Sequence, residues 1–486
     1  MKKDTFDTCI FMKTILIIGA GFSGAVTAVH LLRQPAQSGV RVLLVNRSGR
    51  MARGIAYGTK SPNHLLNVPA GNMSALPDDL DHFLRFCQRV DAGITASSFV
   101  SRQIYGDYLE HLLNQAELAA CSGRFLERIA GEVIDIVHAP DRHGCRITLA
   151  DGQNFHVDRL VLACGHYPPN DPHTHTPDFY NSARYIKDPW KAGALDAVAP
   201  SESILLLGTG LTAIDVSLML LNRHDTRAIH AISRRGLLPL PHRVSRAPNY
   251  DCTLPDFSGD AAISVRKQLR MLRRHIDAET SAGGDWRDTI AALRPHTQAL
   301  WQQLPEPERK RFLRHLQPYW DNHRHRVAPQ PYAHFQQAIA SRHVNILAGR
   351  TMTYEESHRG VCVTIRVRST QNTVMLDVDR VINCTGPGSD LNRVDDALVR
   401  QLLKRGLIRR DPLGLGLDVS DCGALIDAQG NASNLMYYVG PLLKARYWEA
   451  VAVPELRGFS QCLAKVLLHE ESSAVAAHAV AEMSRI

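Results

Sequence analysis

The chain has 486 residues, of which 44% are hydrophobic and 21% charged, with a formal net charge of +8. This length predicts two or three domains, each able to fold around its own core. The charge fits anionic ligands such as dinucleotides, and equally a basic surface that keeps the protein in solution, so it does not distinguish between functions. The ten cysteines form no C-x-x-C pair and no run of about 18 apolar residues occurs, so no zinc site, redox dithiol or membrane span is indicated, and we expect a cytoplasmic protein.

The first ordered elements follow a lead of eleven residues that we expect to be disordered. Ile15–Ile18 is a short apolar run without alternation, which is typical of a strand buried on both faces. A glycine-rich turn follows, then apolar residues at helical spacing over Ala25–Leu32, and then a second buried run, Val42–Val45. This order predicts a strand, turn, helix and strand unit of the dinucleotide-binding type.

The turn has the G-x-G-x-x-G pattern, which binds a pyrophosphate at the start of the helix. The alternative, an ordinary strand–helix turn, is less favoured because both the preceding strand and the following helix are present. We expect FAD to contact Gly19, Gly21, Phe22, Ser23 and Gly24. The second strand ends in Asn46 and Arg47 instead of the usual acidic residue, and Asn46 can still bind ribose hydroxyls.

The same order of strand, glycine turn, helix and strand recurs nearly two hundred residues later. A buried run, Ile204–Leu207, leads into a second glycine turn, a helix through Leu221 and a further strand, Ala228–Ile232. Ala213 replaces the third glycine, which the motif accepts. We expect this turn to bind a nicotinamide dinucleotide through Gly208, Gly210, Leu211 and Thr212. Two such sites favour FAD reduced by a nicotinamide cofactor over a simple dehydrogenase.

Ser233, Arg234 and Arg235 follow the second strand of this unit. Arginine forks suit a ribose 2′-phosphate, so NADPH is favoured over NADH, which stays possible. The alternative is a solvated basic turn. Asp215 on the helix is a structural partner or a ligand contact with equal weight.

Two further apolar runs, Arg159–Gly165 and Arg380–Gly386, each end on a glycine that we expect near a cofactor. They predict an α/β fold with two Rossmann-like domains, the NAD(P)H domain being inserted in the FAD domain. We expect the FAD domain at 12–170 and 376–470, and the NAD(P)H domain at 200–375.

Residues 258–345 are rich in helix formers and arginine. We predict helices over Ile263–Ile276, Trp286–Leu304 and Glu306–Leu316, with a break at Pro295. The cluster His323, Arg324, His325 and Arg326 either recognises an anionic substrate or is the polar end of a helix. We expect the residues after Glu470 to fray.

Three stretches make the chain resemble a bacterial family of FAD/NAD(P)-binding flavoproteins, which is similar to flavin N-hydroxylating monooxygenases and to a flavin-dependent urate hydroxylase. They are Gly54–Ser74, Trp320–Pro329 and Val439–Arg457. The resemblance implies that Asn67, Met73 and Ser74 lie along the flavin, the alternative being a surface loop. It also implies that backbone N–H groups of the turn opened by Gly440 and Pro441 face the flavin, with Lys444 and Arg446 adding positive charge.

The resulting hypothesis is an NAD(P)H-driven, FAD-dependent monooxygenase that hydroxylates a small polar substrate, such as an amine, amino acid or purine, with O₂. Its catalytic residues and oligomeric state stay open. An alternative is an FAD-dependent reductase or dehydrogenase that does not oxygenate its substrate. A third hypothesis is a nucleic-acid-binding protein that uses the basic helices at 263–326, although no DNA-reading or RNA-reading motif accompanies them, so we expect neither nucleic-acid nor membrane binding.

Overall fold

The computed structural model describes residues 12–35, 39–59, 61, 63–138, 144–223, 228–243, 253–259 and 263–469. The expected disordered lead and the frayed end after Glu470 lie outside these residues. The described chain divides into two compact units. Unit 1 takes its residues from 1–60, 70–165 and 390–486, and unit 2 takes its residues from 61–69 and 166–389.

The strands of the described residues combine short, apolar runs with longer amphipathic ones. In chain order they are β1 (Met12–Ile18), β2 (Gly39–Asn46), β3 (Arg124–Ala130), β4 (Val133–His138), β5 (Cys145–Leu149), β6 (Asn154–Val157), β7 (Arg159–Leu162), β8 (Tyr185–Ile186), β9 (Ile204–Leu207), β10 (Ile229–Ser233), β11 (Val344–Ser357), β12 (Gly360–Val367), β13 (Thr373–Val378), β14 (Arg380–Asn383), β15 (Ala424–Ile426) and β16 (Ala432–Tyr438).

The α-helices fall into one group around each nucleotide-type sheet and a run of consecutive helices in unit 2. In chain order they are α1 (Phe22–Arg33), α2 (Gly54–Tyr57), α3 (His82–Val90), α4 (Arg102–Leu118), α5 (Leu211–Arg223), α6 (Val265–Ser281), α7 (Trp286–Leu293), α8 (Thr297–Gln303), α9 (Glu306–His315), α10 (Gln317–Arg324), α11 (Pro329–Ala340), α12 (Ala397–Lys404), α13 (Lys444–Tyr447) and α14 (Val453–Leu468).

Unit 1 is built on a six-stranded sheet with the order β15-β16-β7-β1-β2-β3. All neighbours are parallel except β15 and β16. The apolar strands β1 and β2 are central, and α1 packs against both α4 and α14, so that every residue of α1 except Arg33 is buried. A separate antiparallel sheet, β4-β5-β6, precedes β7.

Unit 2 is built on a seven-stranded sheet with the order β13-β12-β11-β10-β9-β14-β8. The five neighbouring strands β11, β10, β9, β14 and β8 are parallel, and β12 and β13 add an antiparallel edge. Residues of β9, β10, β14, α5 and α11 share one buried apolar cluster. The predicted α/β class with parallel, Rossmann-like sheets is confirmed.

β14 belongs to the sheet of unit 2, where it pairs with β9 and β8. The prediction placed residues 376–389 in the second part of the FAD domain, whereas unit 2 extends to residue 389. The four-residue run of β14 carries no sign of which parallel sheet will accept it. Pairing between distant residues decides that.

The long helix predicted over Trp286–Leu304 is interrupted at Arg294–His296, where a short 3₁₀ turn separates α7 from α8. Pro295 lies in this turn, as expected of a residue that lacks the N–H an α-helix needs. Within the described part of the chain, no helix combines the length and apolarity needed to span a bilayer.

Candidate dinucleotide sites

The glycine turn of unit 1 joins β1 to α1, and its first and third glycines are required by the packing of the chain itself. Gly19 has a φ of +102°, and a Cβ added there would lie 2.5 Å from the carbonyl oxygen of Ala163. A Cβ on Gly24 would lie 1.9 Å from the carbonyl oxygen of Gly19. Side chains at these two positions would therefore prevent the close approach of α1 to the strand that the motif requires.

Gly21 has the role of exposing backbone. A Cβ placed there meets one neighbour within 4 Å, the Cα of Gly54 at 3.6 Å. No side chain of the described residues caps α1, and its first turn contains no acidic residue. The N–H groups of Phe22, Ser23 and Gly24 therefore lie at a helix start that an anion can satisfy, and this arrangement fits a dinucleotide pyrophosphate.

A segment after β2 crosses this turn. Its residues were not among those predicted to form the phosphate site. Ala52, at a φ of +71°, donates its N–H to the carbonyl oxygen of Ala20 at an N–O distance of 2.7 Å. The next residue, Arg53, forms ion pairs with Asp107 and Glu110 of α4. Gly54, which opens the first stretch of the family resemblance, was the available signal, since a Cβ there would lie 3.1 Å from the Cα of Gly21.

Asn46 ends β2 and is held in a defined orientation. Its side-chain amide donates to the hydroxyl of Ser48 at 2.9 Å and to the carbonyl oxygen of Arg50 at 2.5 Å. Both donors are thereby used, so the Oδ1 acceptor is the atom that stays available to a ribose hydroxyl. Arg47 instead forms an ion pair with Asp396 at 2.5 Å and lies 3.6 Å from Glu132.

Met73 and Ser74 are enclosed by protein in unit 1, with 3% and 0% of their surfaces exposed. The hydroxyl of Ser74 donates to the carbonyl oxygen of Asp79, and its own carbonyl oxygen accepts from Arg457. Asn67 belongs to unit 2, where its carbonyl oxygen lies 2.8 Å from Nε2 of His242. The three residues expected along the flavin are therefore divided between the units, and the side chains of two of them are turned into a core.

The turn at Gly440 and Pro441 uses part of its own donor capacity. Gly440 has a φ of +143°, the N–H of Leu442 donates to the hydroxyl of Tyr438, and the N–H of Leu443 donates to the carbonyl oxygen of Gly440. The cations that follow are also engaged: Lys444 lies over the ring of Trp448, and Arg446 pairs with Asp421. Among the described residues this turn thus offers fewer free donors than the resemblance implies.

The glycine turn of unit 2 joins β9 to α5 and repeats the first one closely. Gly208 has a φ of +117°, and a Cβ there would lie 2.4 Å from the carbonyl oxygen of Cys384. A Cβ on Gly210 would meet no heavy atom within 4 Å. The second glycine is therefore not required by packing against the described residues, and Leu211 and Thr212 follow it as the first residues of α5. Open space beside backbone at a helix start suits a pyrophosphate.

The turn after β10 is held by Thr209, whose hydroxyl donates to the carbonyl oxygen of Leu237 at 2.5 Å and lies 2.9 Å from the hydroxyl oxygen of Ser233. Arg234 is exposed to solvent, and partial desolvation of its guanidinium together with the positive charges of Arg235 and Arg350 lowers its pKa. Arg235 lies over the ring of Tyr319 at 5.4 Å. Arg234 is therefore the cation here that most needs an anionic partner.

The glycines that end the two crossing strands share an open environment. Added Cβ atoms at Gly165, in unit 1, and Gly386, in unit 2, would meet nothing within 4 Å. Each lies just after the carboxyl end of a parallel strand, beside the glycine turn of its own unit, because β7 pairs with β1 and β14 pairs with β9. Ligands of open α/β sheets bind at this edge.

The four residues from His323 to Arg326 do not act as one set. Nδ1 of His323 lies 2.7 Å from the carbonyl oxygen of Tyr319, and Nδ1 of His325 lies 3.6 Å from Asp321. The guanidinium of Arg326 lies beside Trp286, 5.9 Å from the ring centroid, and the ring of His323 packs edge-on against the same indole at a centroid distance of 5.0 Å. His325 is thus engaged at the end of α10, whereas His323 and Arg326 share the ring of Trp286.

Residues 16–167 match the family model described as FAD-NAD(P)-binding. Among solved structures, ornithine hydroxylase (PvdA) from Pseudomonas aeruginosa is 15% identical, with a TM-score of 0.62 over 94% of this chain and 98% of that one. DfoA, the cadaverine monooxygenase from Erwinia amylovora, is 13% identical with a TM-score of 0.61 over 94% of both chains. L-lysine 6-monooxygenase from Pseudomonas syringae is 16% identical, with a TM-score of 0.59 over 96% of this chain and 99% of that one.

These likenesses define the fold as that of the two-domain FAD/NAD(P) Rossmann-type flavoproteins. The resemblance predicted from the sequence motifs is thereby confirmed, and its FAD and NAD(P) cofactors are those of the matched family model. No curated protein sequence matches the chain.

Proposed function

We propose that the chain is an FAD-dependent, NADPH-driven monooxygenase that hydroxylates a small nitrogen-containing substrate. The observation that carries this proposal is the presence of one phosphate-type glycine turn in each unit, both with the second glycine clear of packing conflicts. A flavin that receives hydride from a nicotinamide requires two dinucleotide sites in one molecule.

FAD is assigned to unit 1, where the family model matches. Gly21 and the start of α1 would hold its pyrophosphate, and Oδ1 of Asn46 would accept from its adenosine ribose. When bound, FAD supplies the redox chemistry: it takes hydride from the nicotinamide and, once reduced, activates O₂. The chain's own contribution is to bind and orient this group, and to keep anionic charge on it stable through backbone donors.

NADPH is assigned to unit 2, with Gly210 and the start of α5 as the pyrophosphate site. Arg234 is the residue proposed to bind the ribose 2′-phosphate. Its exposed guanidinium lies near the positive charges of Arg235 and Arg350, and no acidic partner contributes to its pKa among the described residues. A phosphate would neutralise this local excess of positive charge, and an arginine fork matches phosphate geometry.

Support for oxygenation comes from the fold shared with the ornithine, cadaverine and lysine monooxygenases over more than nine tenths of each chain. The test is to purify the protein, record its visible spectrum with FAD, and follow NADPH oxidation with a panel of amines, amino acids and purines. One hydroxylated product formed per NADPH consumed is the expected result. A protein that stays colourless with added FAD would remove the proposal entirely.

The alternative is an FAD-dependent NAD(P)H reductase that does not oxygenate its substrate. The fold is also shared with bacillithiol disulfide reductase from Staphylococcus aureus, at 12% identity and a lower TM-score of 0.52. In the panel assay, NADPH consumption that equals hydrogen peroxide release, or that follows an added electron acceptor without any hydroxylated product, would favour this function over the monooxygenase.

A further inference from the structure

A group of arginines comes together in unit 2 around Trp286, at the start of α7. The guanidinium of Arg287 lies 4.6 Å and that of Arg326 lies 5.9 Å from the centroid of the Trp286 ring. Arg324 and Arg243 are close enough to interact electrostatically with Arg326. The cluster therefore joins the start of α7 and the end of α10 with the loop that follows β10.

The charges of this Trp286 cluster do not balance. Arg243 is paired with Asp285 at 2.8 Å and with Asp288 at 2.5 Å, and Arg287 shares Asp285 at 3.2 Å. Arg243, Arg287 and Arg326 thus face two carboxylates, Asp285 and Asp288, among the described residues. The excess positive charge lies on the side of Arg326, because both carboxylates are engaged by Arg243 and Arg287.

Arg326 is the member of the cluster with the greatest need for a partner. Its Nε is buried and has no hydrogen-bond acceptor in the part of the chain that the structure describes. Burial and the charges of Arg324, Arg287 and Arg243 lower the pKa of its guanidinium to about 10. A partly buried arginine beside three like charges is unfavourable by itself, and an anion would remove the cost.

The backbone around Arg326 is well defined. Val327 pairs with Pro241 in a parallel bridge, its N–H donates to the carbonyl oxygen of Leu240, and Nε of Arg287 donates to the carbonyl oxygen of Pro241 at 3.1 Å. The neighbouring ring of His242 is held 2.8 Å from the carbonyl oxygen of Asn67, and burial followed by the charge of Arg326 lowers its pKa to about 4. His242 therefore stays neutral and adds a fixed dipole to the site, not a further charge.

We propose that Arg326 and Arg287, beside Trp286, bind an oxyanion group of a small molecule, and that the substrate of the proposed monooxygenase carries this group. The second clause rests on the proposed function, whereas the first does not. The two guanidinium groups supply charge-assisted donors, and the indole ring supplies an apolar face for the adjoining part of the ligand. A carboxylate and a phosphate share this chemistry.

The first test uses the FAD-loaded full chain and two probe anions, inorganic phosphate and acetate, at constant ionic strength set with sodium chloride. The thermal midpoint of the wild type should rise with one of the two probes, which distinguishes a phosphate-type from a carboxylate-type site. Arg326→Met should lower the affinity for that probe by about tenfold or more, as expected for the loss of a charge-assisted hydrogen bond. A wild type that responds to neither probe would overturn the proposal.

A matched variant separates a binding role from a structural one. Arg243→Met leaves Asp285 and Asp288 without their partner and should lower the midpoint of the anion-free protein. Arg326→Met removes a partly buried charge whose Nε has no acceptor among the described residues, and should leave that midpoint unchanged or higher. If Arg326→Met instead destabilised the protein as much as Arg243→Met while retaining anion affinity, Arg326 would be a structural residue.

The second test examines the substrate. In the amine, amino acid and purine panel, substrates that carry an anionic group should stimulate NADPH oxidation best, and Arg326→Met should raise their KM by about tenfold while the KM for NADPH is unchanged. A raised KM for NADPH would place the anion site on the nicotinamide nucleotide and refute the substrate assignment. Failure of the proposed function is distinguishable, because no hydroxylated product would then form while the anion-dependent midpoint persists.

Discussion

Gly210 offers a clean separation of cofactor binding from folding. A side chain at this position would enter open space, with no heavy atom within 4 Å of its Cβ, and the backbone is not in the left-handed region. Replacing a glycine under these conditions changes stability by roughly 1 kcal/mol or less, often favourably. If the open space is the NADPH pyrophosphate site, Gly210→Leu should instead fill it.

The expected loss follows from the contacts that a pyrophosphate makes with backbone donors. Hydrogen bonds to a charged group are worth about 1.5–3 kcal/mol each. Displacing one of them corresponds to a fall in NADPH affinity of about 10- to 150-fold. Gly210→Ala, with a smaller side chain, should give a smaller loss.

The assay is anaerobic titration of the FAD-loaded protein with NADPH, followed by bleaching of the flavin absorbance. Gly210→Leu should retain its yellow colour and require much more NADPH, whereas Gly21→Leu should lose FAD. Gly208→Ala is the folding control, because its Cβ would lie 2.4 Å from the carbonyl oxygen of Cys384 and its φ is +117°. A folded Gly210→Leu protein with NADPH affinity within about twofold of the wild type would refute the assignment of unit 2.

Three further predictions concern single side chains. Arg234→Gln should weaken NADPH binding by about tenfold while leaving NADH binding unchanged, because only NADPH carries the 2′-phosphate, and a parallel loss for both cofactors would contradict the proposed role. Asn46→Asp should reduce both stability and FAD retention, by about 1–3 kcal/mol in urea unfolding, because a carboxylate oxygen would face the carbonyl oxygen of Arg50 at 2.5 Å; an unaffected protein would show that the amide orientation is unimportant. Burial in α1, followed by the charge of Arg33, lowers the pKa of His30 from 6.5 to about 4, so the folded state resists protonation and stability falls as pH decreases from 6.5 toward 4, by up to roughly 3 kcal/mol. His30→Leu should therefore show a smaller difference in urea midpoint between pH 7 and pH 5 than the wild type, and an equal difference would exclude His30 as the cause.

The local chain signals were sufficient for the two nucleotide-type units. Apolar runs before each glycine turn, and helical spacing after it, predicted β1 with α1 and β9 with α5 correctly. These features are local, because a tight turn and a buried strand depend on residues within one short segment. The insertion of one nucleotide-type domain into the other could also be predicted, since the same order of strand, glycine turn and helix occurs twice and the two occurrences are separated by further predicted strands.

Only the tertiary structure decided which sheet receives each distant strand and which side chains meet. β14 pairs with β9 although its four residues resemble β7, and Asn67 was separated from Met73 by the boundary between the units. The reason is physical: parallel strands pair over any sequence distance, so a short apolar run fits several partners equally well.

The Arg326 cluster gives the same lesson for the site. Only some of its arginines lie close together in sequence. Arg243 and Arg287 come from segments far from Arg326. Sequence proximity grouped Arg326 with His323 and His325, whereas the fold engages His325 with Asp321 and brings Trp286 against both His323 and Arg326. The conformational freedom of glycine is a property of single residues and can be predicted from sequence. The balance of charge at a site depends on which segments of the chain come together in space.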